Sequence, residues 1–449
     1  MNSVNYKKYW NEERETLNPE VRNKLILKRI KDQLEYVYNN LPFYRKHYDN
    51  HNFKPSDVKT LEDFTTKVPV ITKKMLVEDQ KNNPIFGSYA GQFKPEEIAR
   101  IQGSSGTSGT PTFYQVSKDD WERAAEMHAM ALWSTGLRPT DTIQFGFAFS
   151  MFFGGWGILQ GAEKLGATIF PLGATESDKH LDLIERLQPS TFVGTISYCM
   201  HLLDKARSRG IDLSQSSVKR IIAAGETGAT LPNTRKIVTK GWGASLFDTG
   251  STSEMYPFMT NTSCEAQEGV HLYQDEVFTE IVNSEDPHSS MPMGEKGAVV
   301  YTHLWRKSQP MIRFWSGDES YMTDEPCSCG RTYPRLPQGV LGRIDDMLII
   351  RGVNIYPSAI ENAVRSLDWS GAEYQIILDK KGSLDEMTIN IEYQNQYKND
   401  NLQSFEGEAA KLFKNKFGVR VGVNLVEQGI IPETVFKARR VVDNRSKKS

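Results

Sequence analysis

Gly103-Ser104-Ser105-Gly106-Thr107-Ser108-Gly109-Thr110-Pro111-Thr112 runs straight into Phe113-Tyr114-Gln115-Val116, and the fold turns on how this run is read. Three glycines and six hydroxyl side chains occupy ten residues. Glycine lets a backbone approach an anion closely with its N–H groups turned inward, and serine and threonine add donors without bulk. That chemistry suits a polyphosphate held inside one folded unit. A flexible Ser/Gly linker is the plain alternative. Against the linker, the run is short, lies between ordered-looking segments and leaves through the stiff Pro111 into a strand. It also lacks the Lys-Ser/Thr that closes the ATPase glycine-rich loop, so the phosphate reading depends on the rest of the chain.

Outward from the loop, strands and helices alternate. Ser117 offers a helix N-cap with Asp120 three residues on, and that helix runs to Gly136. Phe145–Phe149, Thr168–Leu172, Thr191–Thr195 and Val218–Ala223 read as strands. Gly155–Leu165, Lys179–Leu187 and His201–Arg209 between them read as helices. This alternation predicts an α/β fold, parallel sheet covered by helices. Upstream, Asn18-Pro19 opens a helix in which Leu27, Ile30, Leu34, Val37 and Leu41 recur at helical spacing before Pro42. Downstream, Ser245–Asp248, Val277–Asn283 and Ala298–His303 are strand-like. After Arg343 come helices at Pro357–Leu367 and Leu402–Phe417, with strands at Tyr374–Leu378, Met387–Tyr393 and Gly422–Val426. The expected organisation is a large N-terminal α/β domain of several subdomains over 1–343 and a small C-terminal α/β domain over 344–449.

Composition excludes other classes. The 54 Lys and Arg nearly balance 56 Asp and Glu, so net charge offers no basic surface to nucleic acid. The most apolar window, Phe145 to Leu172, is broken by glycines and by Glu163-Lys164, which argues for core rather than a membrane span. The Met1 end is polar and carries no signal-peptide core. Four cysteines in 449 residues make no disulfide framework, and a reducing cytoplasm is the expected setting.

Further motifs give the loop its context. Phe247-Asp248-Thr249-Gly250-Ser251-Thr252-Ser253-Glu254, Arg313-Phe314-Trp315-Ser316-Gly317-Asp318, Gly342-Arg343-Ile344-Asp345-Asp346-Met347 and Lys437-Ala438-Arg439-Arg440-Val441-Val442-Asp443 follow it in that order. With the loop, they resemble the ordered motifs of the adenylate-forming superfamily of acyl-CoA synthetases. Within it, Trp10-Asn11-Glu12, Leu41-Pro42-Phe43-Tyr44-Arg45, Val68-Pro69-Val70-Ile71-Thr72-Lys73, Phe153-Gly154-Gly155-Trp156-Gly157, Gly161–Ala167 and Ala224-Gly225-Glu226 resemble the phenylacetate–CoA ligase family. The resemblance spans the length of the chain.

It implies an AMP-forming ligase that joins a small, for example aryl, acid to ATP as acyl-AMP and then to coenzyme A, with the C-terminal domain as a mobile lid. The implied nucleotide contacts are Ser104, Ser105, Gly106, Thr107, Ser108, Gly109, Thr110, Gly225, Glu226, Asp248, Ser253, Asp318 and Arg343, with Asp318 on the ribose hydroxyls. Glu254 is the implied Mg²⁺ ligand, a hard cation preferring oxygen. Lys437, Glu254 and Arg343 are the implied catalytic residues, Asp345 the hinge, and Phe149, Phe153 and Gly154 the acyl pocket. Fixed donors and cations suit this chemistry because negative charge gathers on phosphate oxygens. Two positions depart from the superfamily pattern: Gly250 stands where an aromatic faces adenine, and Phe436 where glycine precedes the lysine. An adenylating enzyme that serves an amine or carrier protein, and an inactive nucleotide-binding regulator, are the alternatives. A homodimer is one possible assembly, and neither nucleic acid nor membrane is expected as a partner.

Cys264 and His271, followed by Cys327-Ser328-Cys329, make a separate case. A disulfide between residues two apart is awkward, so this pair favours a metal. Three thiolates and one imidazole match a closed structural zinc site, and the resembled family carries comparable sets. Three buried thiols with an unrelated surface His271 are the alternative. Cys199 has no partner in the pattern and reads as core.

Overall fold

Asn18 caps the first long helix as its residue type predicts. Its side chain accepts from the Glu20 and Val21 amides, and Ile26, Ile30, Leu34 and Val37 turn inward along Pro19–Asn40. Ser117 caps Lys118–Ser134 in the same way through the Asp120 amide. The computed structural model describes residues 5–104, 111–151, 154–350, 353–381, 384–432 and 440–445. Among them no helix is long and apolar enough to cross a membrane. The fold is α/β. Its contacts divide into two units, one of Met1–Thr142, Ala148–Phe170 and Phe247–Val340, the other of Ile143–Phe147, Pro171–Leu246 and Leu341–Ser449. The expected boundary between 343 and 344 falls just after the second unit resumes at Leu341.

In the first unit, one sheet orders Ile71–Thr72, Phe314–Ser320, Gly297–His303 and Val277–Val282 side by side. Ile71–Thr72 joins parallel and the other strands pair antiparallel. Gly297–His303 is buried along its whole length, and Ala298-Val299-Val300-Tyr301 runs apolar where a half-exposed strand would alternate. Elsewhere in this unit Asn261–Ser263 pairs antiparallel with Ser245–Gly250 on one side and Val270–Leu272 on the other. Ile98–Gly103 and Phe113–Ser117 form an antiparallel ribbon. The ribbon brings together the two ends of the glycine-rich run.

In the second unit, Thr142–Phe145, Thr191–Gly194 and Arg220–Ala223 run parallel, with Ile143 opposite Thr191 and Phe192 opposite Ile221. Helices Ser177–Leu187, Ile196–Ser208 and Pro232–Trp242 share one core with Phe192 and Ile221 through Leu181, Ile184, Leu203, Val238 and Trp242. The alternation is present with two shifts. The strand expected at Phe145–Phe149 ends at Phe145, and the helix expected from His201 begins at Ile196. The earlier start follows from Thr195, whose hydroxyl accepts from the Tyr198 amide.

The same unit contains a sheet ordered Gly422–Glu427, Leu384–Tyr393, Ser370–Lys381 and Val441–Asp443. Pro357–Val364 and Leu402–Phe417 supply Ile360, Val364, Ala409 and Phe413 to a core with Ile376, Ile389 and Ile391. Each fully buried large aliphatic or aromatic side chain there contributes about 1.5–3 kcal/mol.

Candidate functional site

The glycine-rich run is pinned at its mouth. Ser104 N–H donates to the Thr112 carbonyl at 2.9 Å, and Ser104 Oγ accepts from the Thr112 amide at 3.0 Å. Thr112 Oγ1 lies 3.0 Å from Ser104 Oγ and 2.9 Å from the Tyr114 hydroxyl. Ser105, Gly106, Thr107, Ser108, Gly109 and Thr110 lie outside the described residues. From Thr112 the contacts continue to Glu254, since Tyr114 Oη lies 3.5 Å from Glu254 Oε1. Burial, with the Glu254 charge next, raises the Tyr114 phenol well above its ordinary value, so it stays a neutral donor.

Glu254 is almost fully buried, yet Lys73 Nζ reaches its Oε1 at 3.1 Å from a half-exposed position. Lys73 opens the helix Lys73–Asn82. The fully buried Arg306 holds the backbone at this point, donating to the Glu254 carbonyl at 3.2 Å and to the Gln115 carbonyl at 3.2 Å. Burial lowers the Arg306 guanidinium to about 10, which leaves it charged at neutral pH. The pinned loop end, a carboxylate and two cations thus converge. Such a group can accept a divalent ion and phosphate oxygens.

Asp318 owes its place to a break in the sheet. Ala298 pairs with Glu319 and Val300 with Trp315, so the strand Phe314–Ser320 carries extra residues opposite Val299. Gly317 adopts φ +78°, a conformation side chains disfavour. Ser316 Oγ donates to the Val299 carbonyl at 2.9 Å and accepts from the Asp318 amide at 3.0 Å, which fixes the bulge. Asp318 itself is buried, and after burial its charge is the next influence raising the Tyr301 phenol. The Asp248 amide donates to the Ser263 hydroxyl oxygen at 3.1 Å, and Ser253 is half-buried one residue before Glu254. A Cβ at Gly250 would press on the Asn261 carboxamide at 2.9 Å, so that amide fills the space beside the glycine.

In the second unit, Gly225 takes φ +84° directly before Glu226. The Glu226 carboxylate accepts from the Ser197 amide at 3.1 Å and from its hydroxyl at 2.9 Å, capping the helix that starts at Ile196. Arg343 makes a two-pronged contact with Asp345, at 2.8 and 2.9 Å, from an exposed position. Lys437 lies outside the described residues, as does Phe153. Phe149 packs against Trp156 with ring centroids 5.0 Å apart and the planes tilted by 58°, and no atom lies within 4 Å of a Cβ built on Gly154.

Cys264, His271, Cys327 and Cys329 come together, their ligand atoms all within 4.8 Å of one another. Cys264 and Cys327 Sγ are 3.7 Å apart, and Cys329 Sγ is 3.3 Å from His271 Nε2. A tetrahedral zinc ion with ordinary Zn–S bonds would separate its sulfurs by about 3.8 Å. The set fits such an ion. His271 Nδ1 faces the Tyr333 carbonyl at 3.3 Å, which leaves Nε2 to the sulfur side. Hydrogen bonds from Cys264 and Cys327 hold the Cys329 thiol below its ordinary value. Cys199 is fully buried in the core of the second unit.

Three contacts of Glu254 were not anticipated. Tyr114 and Lys73 stand in segments quoted above, but a strand tyrosine and a helix-opening lysine carry no local mark of what they touch 140 and 181 residues later. Arg306 has no motif at all; its full burial is visible only once the chain is folded.

A model of the C-terminal domain of AMP-binding enzymes matches residues 352–445. The phenylacetate-coenzyme A ligase of Thermus thermophilus is 32% identical over 450 residues, covering 96% of this chain and 99% of that protein. The phenylacetate-coenzyme A ligase of Escherichia coli K12 is 31% identical over 443 residues, covering 96% of this chain and 97% of its own. A crystal structure of 2-hydroxyisobutyryl-CoA ligase in the postadenylation state, in complex with R3-HIB-AMP, matches with a TM-score of 0.94 at 38% identity, over 98% of this chain and 93% of that one. Identity at this level, sustained across nearly the whole of each chain, means that the protein belongs to the phenylacetate–CoA ligase family.

Proposed function

We infer that this protein is an AMP-forming acid–CoA ligase. The observation that carries the reading is full-length similarity to ligases of this name and to one whose crystal structure holds an acyl-AMP. A carboxylate attacks the α-phosphate of ATP, pyrophosphate leaves, and the thiol of coenzyme A then displaces AMP. The substrate is a small carboxylic acid. An aryl acid is the first class to test, since the Phe149 and Trp156 rings pack together beside the glycine-rich segment.

The residue roles are ours to propose. The loop 104–110 cradles the β- and γ-phosphates through backbone N–H groups and hydroxyls, and Thr112 and Tyr114 keep its exit fixed against Glu254. Glu254 would hold Mg²⁺, and the ion would supply positive charge beside the departing pyrophosphate. Asp318, aimed by its bulge, accepts from the ribose hydroxyls, and Arg343 donates to ribose or phosphate. Gly225, Glu226, Asp248 and Ser253 line the nucleotide, and Phe149, Phe153 and Gly154 the acyl group. The segment 344–449 acts as a lid turning about Asp345, carrying Lys437 to the α-phosphate for adenylation and away for thioester formation. The cysteine–histidine set holds a structural zinc ion, because four protein ligands leave no open position for substrate. Few cysteines, of which those described are unpaired, fit a reducing cytoplasm.

Lys437→Ala tests the scheme. It should lower acid-dependent pyrophosphate–ATP exchange by two or more orders of magnitude, while thioester formation from supplied acyl-AMP keeps its rate. Equal loss in both half-reactions would defeat the lid assignment. Flat exchange across aryl, branched and short acids would defeat the enzyme itself.

A further inference from the structure

The residues before the first long helix are polar and charged, and they fold back on the metal-ligand loop. Glu15 ends the short helix Glu12–Glu15, which Asn11 caps. It is fully buried, and nothing in the ligase chemistry uses it. Its Oε1 accepts from the Asn11 amide at 2.8 Å, and its Oε2 from Arg331 Nε at 2.6 Å. Arg331 stands two residues after Cys329, and its backbone N–H donates to Cys329 Sγ at 3.4 Å. One residue thus joins a carboxylate of the N-terminal segment, through its guanidinium, to a ligand sulfur, through its backbone N–H.

The same loop is gripped on both sides of Arg331. The Tyr9 hydroxyl donates to the Cys329 carbonyl at 3.2 Å. Thr332 N–H donates to the Glu15 carbonyl at 3.0 Å, and its hydroxyl to the Leu17 carbonyl at 2.6 Å. Arg22 donates to the Thr332 carbonyl and hydroxyl at 2.8 Å each and lies 4.1 Å over the Tyr333 ring. Tyr333 in turn presents its carbonyl to His271. Two ligands, Cys329 and His271, thus depend for their orientation on a segment more than 240 residues away in the chain.

Three thiolates around a divalent ion leave one net negative charge, so a buried cation beside them is favourable. We propose that Tyr9–Arg22 is the outer shell of the metal centre, with Glu15 and Arg331 as its positioning residues, so that this strap and the metal ion stabilise one another. The coupling is reciprocal by thermodynamic linkage: whatever the strap adds to metal affinity, the metal adds to strap closure. This inference rests on the zinc reading above, which is tested first and separately.

The experiment begins with metal analysis of the purified, unchelated chain; a metal content near zero would overturn the zinc reading and this inference with it. Given one zinc per chain, release to a colorimetric chelator is compared between wild type and Glu15→Gln, a substitution of nearly equal shape. The variant should lose metal about 10–100-fold faster, as outer-shell changes do. Hydrogen exchange read by mass spectrometry is then followed after metal removal. Peptides covering 5–22 should lose protection while those covering Gly297–His303 keep theirs. Tyr9→Phe, which removes only the hydroxyl contact to Cys329, should show a smaller change of the same sign and serves if Glu15→Gln does not fold. Wild-type release rates in both variants, or unchanged exchange over 5–22 on metal removal, would overturn the coupling.

Discussion

Glu254 is a carboxylate set almost wholly inside the protein, with the half-exposed Lys73 ammonium 3.1 Å from its Oε1. A buried anion needs such a partner, and a divalent ion would supply a stronger one. Glu254→Gln keeps the shape and removes the charge. It should cut acid-dependent pyrophosphate exchange about 100-fold or more, with the deficit unrelieved by added Mg²⁺ and the thermal midpoint little changed. Tyr114→Phe removes one hydroxyl between Thr112 and Glu254. Its expected cost is about 1 kcal/mol of stability, read from the urea midpoint, because the hydroxyl's neighbours are buried.

At the scale of elements, the bulge at Gly317 and the N-cap at Asn18 illustrate two kinds of control. Ser316→Ala removes the hydroxyl that ties the bulge to Val299 and to the Asp318 amide. The KM for ATP should rise several-fold while the fold persists; an unchanged KM would separate Asp318 from ribose binding. Asn18→Ala should cost about 1 kcal/mol of stability with no change in KM. The cap was legible because its whole mechanism lies within four residues. So were the helices and strands, since hydrophobic spacing, Ser and Thr caps and prolines act locally. The bulge was not legible: Arg313-Phe314-Trp315-Ser316-Gly317-Asp318 shows a glycine, but the register break exists only opposite Val299 on another strand. The cysteine set shows both sides, its residue types plain in sequence and its 3.7 and 3.3 Å edges set by a fold that joins Cys264 to Cys327 and His271 to Cys329. Arg306 and Lys73 belong with the bulge, as contacts made by tertiary structure alone.

At the scale of the molecule, buried histidines set the response to acid. Burial holds His128 at about 4, where its Nε2 faces the Pro257 carbonyl at 3.0 Å, and holds His180 at about 4 beside Gln144 and the Gly173 carbonyl. Between the ordinary histidine value and 4 the unfolded chain binds protons that the folded chain refuses, so stability falls as pH falls. Each contributes roughly 3 kcal/mol across that window. The urea midpoint should drop from pH 7 to pH 5, and His128→Gln should flatten the slope; a midpoint constant over that range would contradict the assignment. The Tyr9–Arg22 strap has a consequence in time. Glu15 leaves the ribosome early, yet its partner Arg331 follows 316 residues later, a delay of roughly 15–60 s at ordinary synthesis rates. For that interval the segment waits in water. Because the partners of Glu15 and Arg22 across the clasp are Arg331 and Thr332, it closes only when the ligand loop has been made.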